Sequence, residues 1–168
     1  MPSRPFHLAI PVHDLDAARD FYGGLFSCRE GRSSPSWIDY DFFGHQLTVH
    51  LAPREARLPR TNAVDGDEVP VRHFGAVLGW DEWQEWAKAL EQRGVNFVIA
   101  PRVRFQGEVG EQATMFLRDP SGNAIELKAF QNPDSLFARP EGEAGPTLRL
   151  KDDPRRTDSA GPGFDPFA

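Results

Sequence analysis

The chain has 168 residues, 39% hydrophobic and 26% charged, with a formal net charge of −6. That length accommodates one domain with a real core, and the composition excludes a fibre or a wholly disordered chain. The acidic balance and the lack of a Lys/Arg cluster argue against a nucleic-acid partner, and no stretch approaches the roughly 20 apolar residues that span a bilayer.

The N-terminus runs into strand-like sequence without the apolar segment of a secretory signal, and Cys28 is the single cysteine. A cytoplasmic protein without internal disulfides is the expectation. Cys28 itself reads as a small, half-buried residue rather than a nucleophile.

Phe6, Leu8, Ile10 and Val12 alternate as on a half-buried strand. Asp14 is placed to cap a helix carrying Leu15, Ala18, Phe21 or Tyr22, and Leu25, with Gly23-Gly24 predicting an early end. Residues 37–43 and 46–51 read as two strands joined at Gly44-His45. Residues 53–70, rich in Pro, Arg and Asp, read as a connection. The pattern then starts again. A strand over 71–78 precedes a helix from Asp81 to Gln92 with Trp83, Ala87 and Leu90 on one face and Gly94 as its stop. Strands follow at 95–100, 113–117 and 124–130, the last two joined through Asp119-Pro120-Ser121-Gly122-Asn123. The fold class is α+β, a strand–helix–strand–strand–strand unit written twice, with modules at about 5–52 and 71–130 of a domain spanning 1–130. Residues 131–168 hold six of the fifteen prolines. They read as a mostly disordered tail, with Leu136-Phe137, Leu148-Arg149-Leu150 and Gly163–Phe167 as its apolar spots.

His7 and His73 open the two units at equivalent places. Strand alternation puts His7 beside Ala9, His73 beside Gly75, and Glu126 beside Ala124, each away from the helix-packing face. Two imidazoles and one carboxylate form a set that leaves positions open on a divalent ion. We therefore expect His7, His73 and Glu126 to be metal ligands converging on one point of a cavity. Counted from the glycine of each preceding turn, Thr48 stands where Glu126 stands. His50 lies two residues further on, an acid–base or substrate contact as readily as an exposed side chain. Arg102 and Arg104 share one strand face, residues 105–112 form a loop or a lip over a pocket, and His45 and His13 read as structural or exposed.

With these residues in place the sequence resembles the vicinal oxygen chelate superfamily, which includes glyoxalases, bleomycin-resistance proteins and extradiol dioxygenases. The resemblance covers about residues 5–130. It rests on the paired units, on His7–Leu15 followed by Ala18-Arg19-Asp20-Phe21-Tyr22, and above all on Phe116–Glu126 with its Asp-Pro-x-Gly-Asn turn. Residues 39–47 and 107–114 resemble its glyoxalase-like, extradiol-dioxygenase subgroup. The resemblance implies two βαβββ modules curled as a mixed sheet around a metal cavity, with a substrate that chelates through vicinal oxygens. His7 and His73 would be the opening-strand ligands and Glu126 the closing-strand ligand. Members often form homodimers. Where glyoxalase I has a fourth protein ligand this chain has Thr48, which speaks against that activity. The expectation is an Fe(II)-dependent extradiol-type dioxygenase of a small catechol-like compound, with O₂ as co-substrate and His50 as acid–base. Mn, Zn or Ni are alternative ions. A non-oxidative lyase, isomerase or thiol transferase, and a sequestering protein without turnover, are the alternative functions.

Overall fold

The computed structural model describes residues 4–64, 66–107 and 111–138. Strand β1 (His7–Val12) leads into helix α1 (Leu15–Ala18), where the Asp14 carboxylate accepts from the Ala17 amide at 2.8 Å. Gly23-Gly24 do not end the helix. It widens into π-helical turns over Arg19–Leu25, closing with the Phe26 amide on the Phe21 carbonyl. Three strands complete the module: β2 (Arg29–Ser34), β3 (Trp37–Phe42) and β4 (His45–Leu51). The β3–β4 reversal uses Phe43 and Gly44, both at positive φ.

The connection between the modules carries strands of its own. β5 (Thr61–Val64) and β6 (Asp67–Pro70) pair as a hairpin turned at Gly66, which has φ +86°. The second module follows as β7 (His73–Leu78), α2 (Trp80–Gln92), β8 (Phe97–Arg104), β9 (Gln112–Arg118) and β10 (Ala124–Phe130).

The sheets repeat one another. Strand order is β1-β4-β3-β2 in the first and β7-β10-β9-β8 in the second. In each sheet the opening strand pairs in parallel with the closing one, and the other neighbours are antiparallel. Register fixes the equivalence. Ala9, two beyond His7, pairs with Thr48; Gly75, two beyond His73, pairs with Glu126.

One face of each sheet packs on the helices. Val12, Ile38, Leu47 and Val49 from the first, and Leu117, Ile125 and Leu127 from the second, are buried there. The two modules share this core through aromatic contacts. Phe42 meets Phe74 at 5.6 Å and Phe26 meets Trp86 at 5.4 Å between ring centroids. The Trp83 indole donates to the Leu127 carbonyl at 2.8 Å, tying α2 to β10. The opposite sheet faces carry the polar candidates.

The first compact unit runs Met1–Ala138, ending in a 3-10 turn at Pro133–Phe137. There Leu136 and Phe137 are exposed. The expected tail beyond, with Leu148-Arg149-Leu150 and Gly163–Phe167, lies outside the described residues, as do 108–110 of the expected lip. No helix among the described residues is long and apolar enough to cross a membrane.

Candidate metal centre

His73 and Glu126 come together because β7 and β10 approach unusually closely. A Cβ at Gly75 would stand 1.6 Å from the Glu126 carbonyl oxygen, so only glycine fits where these strands cross. With the strands so placed, His73 Nε2 lies 3.3 Å from Glu126 Oε2. On the other side of the ring, His73 Nδ1 is 2.7 Å from the Pro70 carbonyl. A carbonyl only accepts, so Nδ1 carries the proton and Nε2 is turned toward the carboxylate. The Phe116 ring packs edge-on to the imidazole at 5.0 Å and fixes its plane.

Glu126 is held as firmly. Its Oε1 accepts from Thr114 Oγ1 at 2.8 Å, and its Oε2 faces Lys128 Nζ at 3.3 Å as well as the imidazole. Burial works against its charge, but the His73 hydrogen bond, the Lys128 ammonium and the Thr114 hydroxyl outweigh it and lower the carboxyl's pKa. The hydrogen bond to Glu126 raises the His73 pKa in turn; burial opposes this and the Pro70 carbonyl assists.

This pair suits a divalent ion. Two ligands on one ion with bonds near 2.1 Å stand roughly 3.0–3.4 Å apart, and the Nε2–Oε2 separation is 3.3 Å. The imidazole has its outer nitrogen on a carbonyl and the carboxylate has its outer oxygen on a hydroxyl. That is the supporting shell which orients metal ligands and fixes the tautomer.

The third expected ligand does not join them in a single chain. Among the described residues no group of three His, Cys, Asp or Glu side chains is close enough to share an ion. His7 is exposed on the polar face of β1, with Ala9 exposed beside it and Ile10 and Val12 buried behind. Thr48 donates to Asp39 Oδ1 at 2.6 Å. Asp39, itself buried, also accepts from Arg32 at 3.2 Å. Burial opposes its charge, yet the Thr48 and Arg32 bonds lower its pKa. The Thr48 hydroxyl is thus engaged where Glu126 stands in the other module.

His50 is exposed on the same face as Thr48, opposite Pro11 and Trp37. Arg102 pairs with Asp67 of the β6 strand, and Arg104 lies over the Phe105 ring. His45 Nδ1 accepts from the Phe6 amide at 2.9 Å, and His13 bonds Ser121, so both serve the scaffold. Burial pushes the Cys28 thiol up to about 11, which fits an inert residue. Sequence reasoning missed Lys128 and Asp39. Strand alternation alone puts Lys128 on the face of Glu126, and cross-strand pairing puts Asp39 beside Thr48.

The two most specific sequence segments meet in space. Asp119 Oδ1 accepts from the amides of Ser121 and Asn123 at 2.9 and 2.8 Å. Its Oδ2 takes the buried Tyr22 hydroxyl at 2.9 Å and Asn123 Nδ2 at 2.7 Å. This network links the α1 segment to the turn that feeds Glu126 into β10.

Known proteins share this fold. The glyoxalase/bleomycin resistance protein/dioxygenase superfamily matches residues 4–127. A glyoxalase/bleomycin resistance protein/dioxygenase of Alicyclobacillus acidocaldarius has a similar structure, with TM-score 0.68 and 36% identity, covering 82% of this chain and 98% of that one. The genomically encoded fosfomycin resistance protein FosX of Listeria monocytogenes, at 20% identity, TM-score 0.57, 80% of this chain and 98% of that one, shares the fold. The glyoxalase domain-containing protein RDO1 of Mycosarcoma maydis is 29% identical over 75% of this chain and 68% of its own length. With a twice-written βαβββ unit, a shared core and a matched sequence span, the chain belongs to the glyoxalase/bleomycin resistance protein/dioxygenase superfamily.

Proposed function

We propose that this protein is a metal-dependent enzyme, an extradiol-type dioxygenase of a small, vicinally oxygenated, catechol-like compound. One observation carries the reading: His73 and Glu126 present Nε2 and Oε2 to each other at 3.3 Å, each braced from behind by Pro70 and Thr114. A divalent ion held there, Fe(II) for the oxidative reaction, supplies Lewis acidity and lowers the proton affinity of a chelating diol.

His7 completes the ligand set from a second copy of the chain. Its exposure on a strand face equivalent to that of His73 supports this, as does Val77, 49% exposed on that same His73 face. Thr48, committed to Asp39, leaves a set of three protein ligands rather than four. Three leave room for a bidentate substrate. The chain's own residues then orient the donors, with Phe116 against the His73 ring, and the copy that brings His7 also offers His50, on the neighbouring strand of the same sheet, as the proton acceptor.

Two experiments address this. After anaerobic Fe(II) loading, oxygen uptake should appear with at least one member of a catechol panel. Uptake with none would overturn the oxidative reading and leave the centre to non-oxidative chemistry. Mixing His7→Ala with His73→Ala chains should restore about a quarter of the wild-type metal sites, since half of randomly paired dimers hold one intact site of two. No recovery in mixed dimers would place His7 outside the site.

A further inference from the structure

Lys128 is a charged group beside the proposed centre that the reading above leaves without a role. It stands two residues beyond Glu126 on β10, on the same face, opposite Val77 on β7 and Thr114 on β9. Its side chain is 28% exposed and its ammonium lies 3.3 Å from Glu126 Oε2. The two carboxylate oxygens differ in what they can give up. Oε1 is engaged by the Thr114 hydroxyl, whereas Oε2 faces both His73 and Lys128. The ion needs the oxygen that faces His73, so Lys128 and the ion compete for one atom.

We propose that Lys128 guards Glu126 in the empty protein and, displaced when the ion binds, becomes the cationic contact for an ionised oxygen of the substrate. This rests on the metal reading of His73 and Glu126. The physical reason is the cost of a part-desolvated charge without a partner. Once Oε2 is taken, the part-buried ammonium beside Val77 has lost its anion. It also sits beside a divalent cation that repels it. An anionic ligand oxygen next to the ion relieves both. The ligand class follows: small molecules that bind as oxyanions, a catecholate among them, in preference to neutral alcohols.

The proposal predicts opposite effects on two affinities, which a merely structural lysine would not produce. Mn(II) is titrated against a chromophoric chelator for wild type, Lys128→Met, Lys128→Gln and Lys128→Arg, with near-UV circular dichroism reporting the fold of each. Removing the charge should tighten Mn(II) binding by about tenfold, equal to 1.4 kcal/mol, while Lys128→Arg stays near wild type. The Mn(II)-loaded proteins are then titrated anaerobically with 4-nitrocatechol, read by its absorbance shift. Here Met and Gln should weaken binding by about tenfold, and Arg should restore most of it. Unchanged or weaker Mn(II) binding in both neutral variants overturns the guarding role. Unchanged 4-nitrocatechol affinity overturns the substrate contact. Wild type that binds no Mn(II) removes the metal reading itself, a result distinct from either.

Discussion

The close approach at Gly75 makes the sharpest mutational statement. In Gly75→Ala the new methyl would lie 1.6 Å from the Glu126 carbonyl oxygen, whereas a carbon and a carbonyl oxygen need roughly 3.3 Å. β7, an edge strand of the second sheet, must therefore part from β10. Parting them breaks ladder hydrogen bonds worth about 1 kcal/mol each net, and leaves buried polar groups costing about 1–3 kcal/mol apiece. A loss on the order of 3–5 kcal/mol follows, a large share of a small domain's stability. The atoms in the way are backbone, so no rotamer change relieves the clash. Urea unfolding followed by circular dichroism measures this, with Gly23→Ala as control. Beyond its chain neighbours and its own helix, no atom lies within 4 Å of a Cβ at Gly23, and within a helical segment alanine should stabilise by about 0.5–1 kcal/mol. A Gly75→Ala unfolding free energy within about 1 kcal/mol of wild type would show that the strands do not need this contact. It would refute the explanation of how His73 reaches Glu126.

Tyr22→Phe deletes the hydroxyl that donates to Asp119 Oδ2 in the core, and should cost about 1–3 kcal/mol in the same unfolding assay; a neutral effect would mean that Asn123 alone suffices for that oxygen. The metal-free protein should also lose stability toward alkaline pH. The His73 pKa is raised from its ordinary 6.5, chiefly by Glu126, so the folded state holds the proton more tightly than the unfolded one. That contribution is complete below the ordinary value and disappears as pH rises through the raised one. Urea midpoints from pH 6 to 9 should fall in wild type and flatten in Glu126→Gln; an equal slope in both would remove the pair as the cause.

The repeat was legible because apolar alternation and helical spacing are strong signals where one face is buried. Trp83, Ala87 and Leu90 on α2, and Ile125 and Leu127 on β10, lie where the pattern puts them. Segments without such a face were not legible. β2, Arg-Glu-Gly-Arg-Ser-Ser, is almost wholly exposed and shows no alternation; only its pairing with β3 makes it a strand. The β5–β6 hairpin hid for a similar reason, in a Pro- and Asp-rich connection. Gly23-Gly24 suggested a stop, but hydrogen bonds from Phe26 and Cys28 to Phe21 and Tyr22 carry the chain through as wide turns. At the site, alternation assigned His73 and Glu126 to one face, and register supplied the contact. Partner choice was beyond the sequence. Thr48 binds Asp39 and Lys128 binds Glu126 because cross-strand geometry sets those distances.

The most direct test of the account is metal stoichiometry. Protein purified without added metal, stripped and titrated anaerobically with Fe(II) or Mn(II), should bind one ion per chain. His73→Ala and Glu126→Ala should lose stoichiometric binding while remaining folded, because two ligands seldom retain a catalytic ion. His7→Ala should lose it too, and His13→Ala, whose ring bonds Ser121, should keep it. Wild-type affinity in the Glu126 or His73 variant would contradict the centre proposed here and the function built on it.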